Sequence, residues 1–280
     1  MKWFVLSLFP GIGLLDMAFE EEGFTVARGP DVLWGGDIRR FHPPTSKFDG
    51  VIGGPPCQAF SSLAHLVRAN GHEPKFGNLI PEFERCVSEA QPDWFLMENV
   101  RAAPEPAVFG YTAKSFLMDN SSLNGGDGFG LEQQRLRRFT FGMRGREAVP
   151  SLLRWIDLAV FLLPDAKNGL TGSGGGQRRT GIAAVGHGEP PSVRDARVRR
   201  LAVLGSTDEV PVKISGSGTG GASARMVRYR LADACRLQGL PEDFLADAPF
   251  TAEGKLKAVA NGVPLPMGRA VARAIKGAIG

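Results

Sequence analysis

Two side chains able to do acid–base or nucleophilic chemistry follow directly after buried-strand patterns. Cys57 comes after a predicted buried strand over 48–52 and a Gly-Gly-Pro-Pro turn, and Glu98 comes after the apolar run 94–97. In an open parallel sheet, such positions lie at the carboxyl edge, where ligands bind. A thiol beside a carboxylate at that edge predicts nucleophilic attack assisted by an acid–base group. Each residue alone has a simpler interpretation, since a lone cysteine commonly packs as a small apolar side chain and a lone carboxylate can simply cap a strand.

The elements that must position these side chains alternate between strand and helix. Residues 3–9 predict a central strand, which ends at a Pro-Gly-Ile-Gly turn before a helical pattern over residues 14–22. A second strand over 24–28 and an amphipathic helix over 79–90 continue the alternation, which predicts an α/β fold with a parallel sheet. A glycine turn that opens a helix offers backbone N–H groups to a nucleotide-type ligand, although Gly-x-Gly alone is more often a tight turn.

Composition limits the classes of protein that remain. The 280 residues can bury a full core, and a net charge of +4 mildly favours a polyanionic partner. The three cysteines form neither a zinc-ligand pattern nor an even disulfide framework, so we expect a reducing compartment and no metal. Cys86 and Cys235 lie in helical patterns and are predicted to be packing residues. No run is long and apolar enough to predict a membrane span.

Seven short blocks occur along the chain in a fixed order. They are Ser7-Leu8-Phe9-Pro10-Gly11-Ile12-Gly13, Gly36-Asp37-Ile38, Gly53-Gly54-Pro55-Pro56-Cys57-Gln58, Glu98-Asn99-Val100, Gln133-Gln134-Arg135-Leu136-Arg137, Arg236-Leu237-Gln238-Gly239 and Ala260-Asn261-Gly262-Val263-Pro264. A single block is weak evidence, whereas an ordered series is improbable by chance. In this order the blocks resemble the motifs of the DNA (cytosine-5) methyltransferases, of a compact prokaryotic or phage type.

Four departures from the family pattern accompany the resemblance. Ser7 stands where the family often has Asp, Leu14 where it has a third Gly, and Asp31 where it usually has Glu. The family also has a helix between the positions of Asp31 and Asp37, which this sequence is too short to contain. We therefore expect that helix to be deleted.

The resemblance implies catalytic roles for four residues. Cys57 would add to C6 of the target cytosine, and Glu98 would hold the ring at N3. Arg137 would contact the cytosine O2, and Arg135 would brace the loop that carries Glu98.

The resemblance also implies S-adenosylmethionine as the cofactor. Asp31 would accept hydrogen bonds from the ribose hydroxyls, and Asp37 would accept one from the adenine amino group. Apolar side chains, Trp34 among them, would pack against the adenine ring. The predicted cofactor-binding residues are Phe9, Gly11, Ile12, Gly13, Asp31, Val32, Asp37, Ile38, Gly54, Pro56, Leu79, Asn261 and Val263.

The architecture implied is a Rossmann-like, S-adenosylmethionine-dependent methyltransferase sheet with a small target recognition domain. Residues 1–142 would form the catalytic and cofactor-binding domain, 143–225 the target recognition region, and 226–280 a C-terminal part that returns to the catalytic domain. Residues 102–130 predict one helix and a glycine-rich loop. The partner would be duplex DNA, and we expect a monomer in the cytoplasm of a bacterium or a phage-infected cell.

Three other functions stay open at this point. The chain could methylate cytosine in RNA, although the separate segment before residue 226 favours duplex DNA. It could be a catalytically silent DNA-binding relative, against which the presence of Cys57, Glu98 and Arg137 argues. The departures on the cofactor side also leave room for transfer of a group other than methyl.

Overall fold

A six-stranded mixed sheet forms the centre of the first part of the chain. The computed structural model describes residues 3–60, 77–119, 135–152, 156, 209–213, 224–228 and 231–280. The sheet has the order β2-β1-β3-β4-β6-β5. Its strands are β1 (Phe4–Leu8), β2 (Thr25–Arg28), β3 (Gly50–Gly53), β4 (Trp94–Asn99), β5 (Tyr111–Asp119) and β6 (Leu136–Arg144). The first four are mutually parallel and β6 runs antiparallel to β4, which confirms the predicted α/β class.

The register of the parallel strands aligns their carboxyl ends. Leu8 of β1 pairs with Gly53 of β3, and Gly53 pairs with Met97 of β4. The residues that follow these three positions therefore lie at one edge of the parallel strands, so Phe9, Gly54 and Glu98 are neighbours.

Two amphipathic helices cover apolar surface of this sheet. Helix α1 (Leu14–Glu21) buries Leu14, Ala18 and Phe19, and helix α2 (Ile80–Ala90) buries one face that includes Phe83 and Cys86. Apolar residues spaced three and four apart make that face. Asn78 accepts a hydrogen bond from the Ile80 N–H, which satisfies one of the unpaired donors where α2 begins. The predicted helix over 79–90 is confirmed.

Glycines allow the large aromatic side chains of β4 to pack against neighbouring strands. A Cβ built on Gly50 would lie 2.2 Å from the Trp94 ring, and one built on Gly142 would lie 2.2 Å from the Phe95 ring. Trp94 and Phe95 are 1% and 0% exposed. Because real carbon atoms do not approach this closely, both positions require glycine as long as the rings stay in place.

The C-terminal helix packs beside the N-terminal segment, as predicted. In helix α5 (Leu265–Ile279), Arg273 lies 2.8 Å from a carboxylate oxygen of Glu22, and Lys276 donates to the Glu22 carbonyl over 2.8 Å. The Lys276 ammonium also lies 5.3 Å from the centre of the Trp3 ring. A further ion pair joins Arg269 to Glu21. Charged contacts therefore fix α5 against the end of α1.

The chain divides into two compact units. The first contains residues 1–118, 136–157 and 268–280, and the second contains 119–135 and 158–267. In the second, strand β7 (Glu209–Lys213) pairs antiparallel with β8 (Ala224–Arg228), and the helices α3 (Leu231–Leu237) and α4 (Ala252–Asn261) follow. This unit's sequence also contains glycine- and arginine-rich stretches over 172–180, 194–200 and 216–221, which lie outside the described residues.

One expected deletion is confirmed, and one predicted helix is absent from the described part of its stretch. Within residues 102–130, where one helix was predicted, the described residues 102–119 contain strand β5 and no helix, while residues 120–130 lie outside the described residues. The alternating burial of β5 explains the strand, since Phe116 and Met118 face the core while the intervening side chain does not. Between β2 and β3, where every residue is described, the chain forms two 3-10 turns and no α-helix. No helix in the described ranges has the length and apolar character to cross a membrane.

Candidate active site

Cys57 stands on a stiff turn just beyond β3. Pro55 and Pro56 lack backbone N–H donors and so end the strand pairing. Cys57 then opens a single 3-10 turn, in which the Phe60 N–H donates to the Cys57 carbonyl over 3.0 Å. The cysteine is partly exposed. The turn therefore holds the thiol in place while leaving it accessible.

Glu98 packs against the turn that carries Cys57. A Cβ built on Gly54 would lie 3.2 Å from the Glu98 carboxylate, so a larger residue there would press on it. The Asn99 side chain donates to the Pro55 carbonyl over 3.2 Å. Glu98 is 9% exposed. The two residues from which the chemistry was predicted thus lie on contacting segments.

Arg137 completes this group from the antiparallel strand β6. Its Nε lies 2.9 Å from a carboxylate oxygen of Glu98, and the two side chains are 13% and 11% exposed. The pairing of Glu98 with Phe139 puts Arg137 two residues along on the same face of the sheet. An ion pair this shielded keeps the carboxylate oriented and compensates its charge.

Arg135 makes its described contact in the second unit. It is 6% exposed, and its guanidinium donates to the Gly262 carbonyl over 3.0 Å. Gly262 lies between the predicted cofactor residues Asn261, which is exposed, and Val263, which is buried. The role of Arg135 at the Glu98 loop stays a prediction.

The turn after β1 adopts backbone conformations that suit a close ligand. Phe9 and Gly11 both have φ of 56°, and Gly13 has φ of 80°. A positive φ at a phenylalanine is unfavourable, and such strain is concentrated at binding sites. A Cβ on Gly11 would meet nothing within 4 Å, so open space lies next to the turn, and Ile12 between the glycines is partly buried. The Gly13 N–H donates to the Pro10 carbonyl over 2.8 Å.

The short segment after β2 is fixed to this glycine turn. Asp31 accepts hydrogen bonds from the N–H groups of Leu33 at 2.7 Å and Gly11 at 2.9 Å. The Trp34 indole donates to the Gly11 carbonyl over 2.7 Å. Val32 and Trp34 are 56% and 60% exposed. The contacts of Trp34 could not be deduced from sequence, because they depend on the path of the shortened loop.

Asp37 and the buried apolar residues occupy the next stretch. The Asp37 carboxylate accepts from the Arg39 N–H over 3.0 Å. Ile38 and Leu79 are 4% and 6% exposed within one apolar cluster, against which Phe9 also packs. Pro56 is partly buried beside Cys57. The structure therefore brings eleven of the thirteen predicted cofactor residues into the first unit and leaves Asn261 and Val263 in the second.

A buried carboxylate, which the sequence argument missed, lies beneath the glycine turn. Asp16 is 0% exposed, accepts a hydrogen bond from the Ser7 hydroxyl over 2.5 Å and lies 3.0 Å from the Arg28 guanidinium. Burial raises the pKa of Asp16, and the hydrogen bond from Ser7 and the charge of Arg28 oppose that shift. The serine at position 7 was the available indication, because the family resemblance places an aspartate at this strand position, and here a carboxylate from the helix meets the serine instead.

The other two cysteines are packing residues, as predicted. Cys86 and Cys235 are both 0% exposed, and burial raises the pKa of each thiol to about 11. Such thiols are poor nucleophiles at neutral pH. Among the described residues, no cluster of three His, Cys, Asp or Glu side chains could hold a metal ion.

Comparison with known proteins identifies relatives of one kind. The family described as C-5 cytosine-specific DNA methylase matches residues 33–157. The type II methyltransferase M.AquIA of Picosynechococcus sp. is 30% identical over 181 residues, which cover 50% of this chain and 71% of that protein. M.FnuDI of Fusobacterium nucleatum is 32% identical over 164 residues, which cover 50% of this chain and 46% of that protein.

A solved structure gives the same picture at the level of the fold. A protein described as a prophage-encoded DNA modification methyltransferase (E. coli) superposes with a TM-score of 0.57 at 17% identity, covering 99% of both chains. The matches to the first two curated relatives span about half of their length. Residues 33–157 match the family, and the match to M.AquIA, at 30% identity, covers 71% of that protein. The chain therefore belongs to the C-5 cytosine-specific DNA methylase family.

Proposed function

We propose that this chain transfers a methyl group from S-adenosylmethionine to C5 of a cytosine flipped out of duplex DNA, through a covalent Cys57 adduct. The observation that supports the proposal most is the packing of the Cys57 turn against an ion-paired carboxylate. Glu98 lies 2.9 Å from Arg137 and would be 3.2 Å from a Cβ at Gly54. A held nucleophile beside a held acid–base group suits addition to an aromatic ring.

The residues around the glycine turn fit the cofactor. Open space beside Gly11 leaves room for a ligand at the strand ends, and the exposed Val32 and Trp34 offer apolar surface to a planar base. Each carboxylate oxygen accepts two hydrogen bonds, so Asp31 can bind a hydroxyl group while it holds Gly11. Asp37 would accept the adenine amino group. When bound, S-adenosylmethionine supplies an electrophilic methyl group.

The chain's own residues would then activate the cytosine. Cys57, as thiolate, adds to C6 and forms a C–S bond, while the Glu98 carboxylate, protonated as the cytosine binds, holds N3 and gives it that proton. The C6 adduct makes C5 nucleophilic, and C5 takes the methyl group, which leaves S-adenosylhomocysteine. A base removes the C5 proton, the C–S bond breaks, the Cys57 thiolate is regenerated, and N3 returns its proton to Glu98. Arg137 would keep Glu98 oriented throughout and would contact the cytosine O2.

A cytosine inside a duplex cannot reach Cys57, so the base must leave the stack. Flipping costs a few kcal/mol, which phosphate contacts offset. We assign that task to residues 143–225, whose arginines suit phosphates and guanine edges. Residues 1–142 would carry the chemistry, and 226–280 would return to complete the cofactor site, in a cytoplasmic monomer.

Transfer of tritium from labelled S-adenosylmethionine to duplex DNA tests the proposal, followed by bisulfite sequencing. We expect label in DNA and protected cytosines within one short sequence. Cys57→Ala should abolish the label while its melting temperature and DNA affinity stay close to those of the unmodified chain. Label in RNA but not DNA would favour the RNA alternative. DNA binding without label in either nucleic acid would favour a silent relative.

A further inference from the structure

The loop that follows Glu98 is held at both ends by side chains. At its start, the Asn99 carboxamide accepts from the Val100 N–H over 2.8 Å and donates to the Pro55 carbonyl over 3.2 Å. The Ala103 N–H then donates to the Val100 carbonyl over 3.0 Å. The contact to Pro55 joins this loop to the Cys57 turn, so the path of one affects the other.

Arg138 holds the far end of the same loop. Its Nη2 donates to the Arg101 carbonyl over 2.6 Å and also to the Ala103 carbonyl, and its Nη1 lies 3.1 Å from the Glu105 carboxylate. The Arg138 side chain is 16% exposed. A guanidinium presents its N–H donors in a rigid fork, so one side chain can fix several acceptors at once.

Adjacent arginines of β6 therefore act on opposite faces of the strand. Successive side chains of a strand alternate between faces. Arg137 lies on the face of Glu98 and pairs with its carboxylate, whereas Arg138 is opposite Asn99 in the strand register and binds the backbone beyond it. The carboxylate and the loop that carries it are thus fixed from a single strand.

We propose that Arg138 is a positioning residue for the Glu98 carboxyl group. By binding the Arg101 and Ala103 carbonyls, it fixes the loop that leaves β4 and so holds Glu98 against the Cys57 turn. Family resemblance assigns bracing of this loop to Arg135, and the contacts of Arg138 add a second arginine to that task. The inference rests on the proposed function, since it concerns the same reaction.

Loss of Arg138 should slow the chemical step more than it weakens ligand binding. A misplacement of about 1 Å at a reacting group can reduce the rate about 100-fold, and loss of a supporting contact typically costs about 10- to 100-fold. Arg138 contacts neither the glycine turn nor Asp31 in the described contacts, so S-adenosylhomocysteine affinity should hardly change.

Four variants of the full chain test this role by tritium transfer to duplex DNA. In Arg138→Met, we expect kcat to fall about 10- to 100-fold. The affinity for S-adenosylhomocysteine, measured by calorimetry, and the KM for DNA should both stay within about twofold of the values for the unmodified chain. Arg138→Lys, which keeps the charge but not the fork, should lose about 3- to 10-fold in kcat. Glu105→Gln leaves both carbonyl contacts of Arg138 intact. Its kcat should stay within about twofold of that of the unmodified chain, which is the effect expected from losing one exposed ion pair.

Arg144→Met is the matched control, because Arg144 lies on the same strand in an exposed pair with Asp93 at 3.4 Å. It should leave kcat within about twofold, as expected for a surface ion pair. An unchanged kcat in both Arg138 variants, or a loss equal to that of Arg144→Met, would overturn the inference. If Arg138→Met does not fold, the kcat of Arg138→Lys is compared with the kcat of Arg144→Met to test the same role. If the unmodified chain shows no turnover, the proposed function is wrong as well. Failure of the Arg138 role alone can therefore be distinguished from failure of the proposed function.

Discussion

Replacing Arg137 by methionine removes the cation that compensates Glu98 while keeping an unbranched side chain of similar length. At the observed 2.9 Å and an effective dielectric constant of about 20, the two charges attract by about 6 kcal/mol. Desolvation offsets much of that, yet breaking a shielded pair leaves one charge buried and typically costs about 3–5 kcal/mol. Since both side chains retain some exposure, we expect about 3 kcal/mol from Arg137→Met.

Urea unfolding of a double-mutant cycle measures this coupling directly. The cycle contains Arg137→Met, Glu98→Gln and the double variant, with Arg144→Met as the exposed control. The double variant should be more stable than the sum of the single losses predicts, by about 2 kcal/mol, because no uncompensated charge remains. Arg144→Met should cost less than about 1 kcal/mol. Additive losses at Glu98 and Arg137 would refute the argument that the ion pair fixes the carboxylate.

Two further predictions concern burial and close packing. Iodoacetamide at about pH 8 should alkylate Cys57 in the folded protein but spare Cys86 and Cys235, because a pKa of about 11 leaves on the order of 0.1% of each buried thiol as thiolate. Mass spectrometry would identify the alkylated cysteines. Equal labelling of all three would contradict the assigned burial. Gly50→Ala should lower the free energy of unfolding by about 1–3 kcal/mol, because the added Cβ would overlap the indole ring of Trp94. Gly77→Ala is the control, since a Cβ there meets no atom within 4 Å, and its free energy of unfolding should change by less than about 0.5 kcal/mol in the same urea assay.

Continuous apolar runs carried most of what the sequence could predict about the fold. Such runs mark buried parallel strands wherever they occur, so β1, β3 and β4 and the turns after them could be located from local pattern alone. The segment at 111–119 shows the limit. Its mixed polar and apolar residues become a strand because β6 lies next to it in the sheet, and that neighbour comes from distant sequence.

The site shows the same division between local pattern and tertiary contact. Cys57 and Glu98 could be predicted because each lies at or shortly past the end of a buried-strand pattern, and strand ends share an edge. Asp16 and Trp34 could not, because their contacts depend on how a helix and a shortened loop lie against the glycine turn. Arg138 was hidden for a similar reason, since basic alternation on a strand also describes a solvated face.

The short loop after β2 supports the glycine turn through side-chain contacts. Asp31 and Trp34 each bind a backbone group of Gly11, and Asp31 also caps the 3-10 turn that follows it. A loop without the usual helix therefore reaches the turn through two side chains. This contact explains how the deletion is accommodated next to the proposed cofactor site.

Covalent trapping shows directly whether Cys57 forms the adduct with cytosine. In duplex DNA with 5-fluorocytosine in place of cytosine, the C5 position carries fluorine, which a base cannot remove as a proton, so the adduct cannot break down. With S-adenosylmethionine present, we expect a complex that survives denaturation and maps, by peptide mass spectrometry, to Cys57. A complex joined through a different residue, or tritium transfer to ordinary DNA by Cys57→Ala, would contradict this expectation.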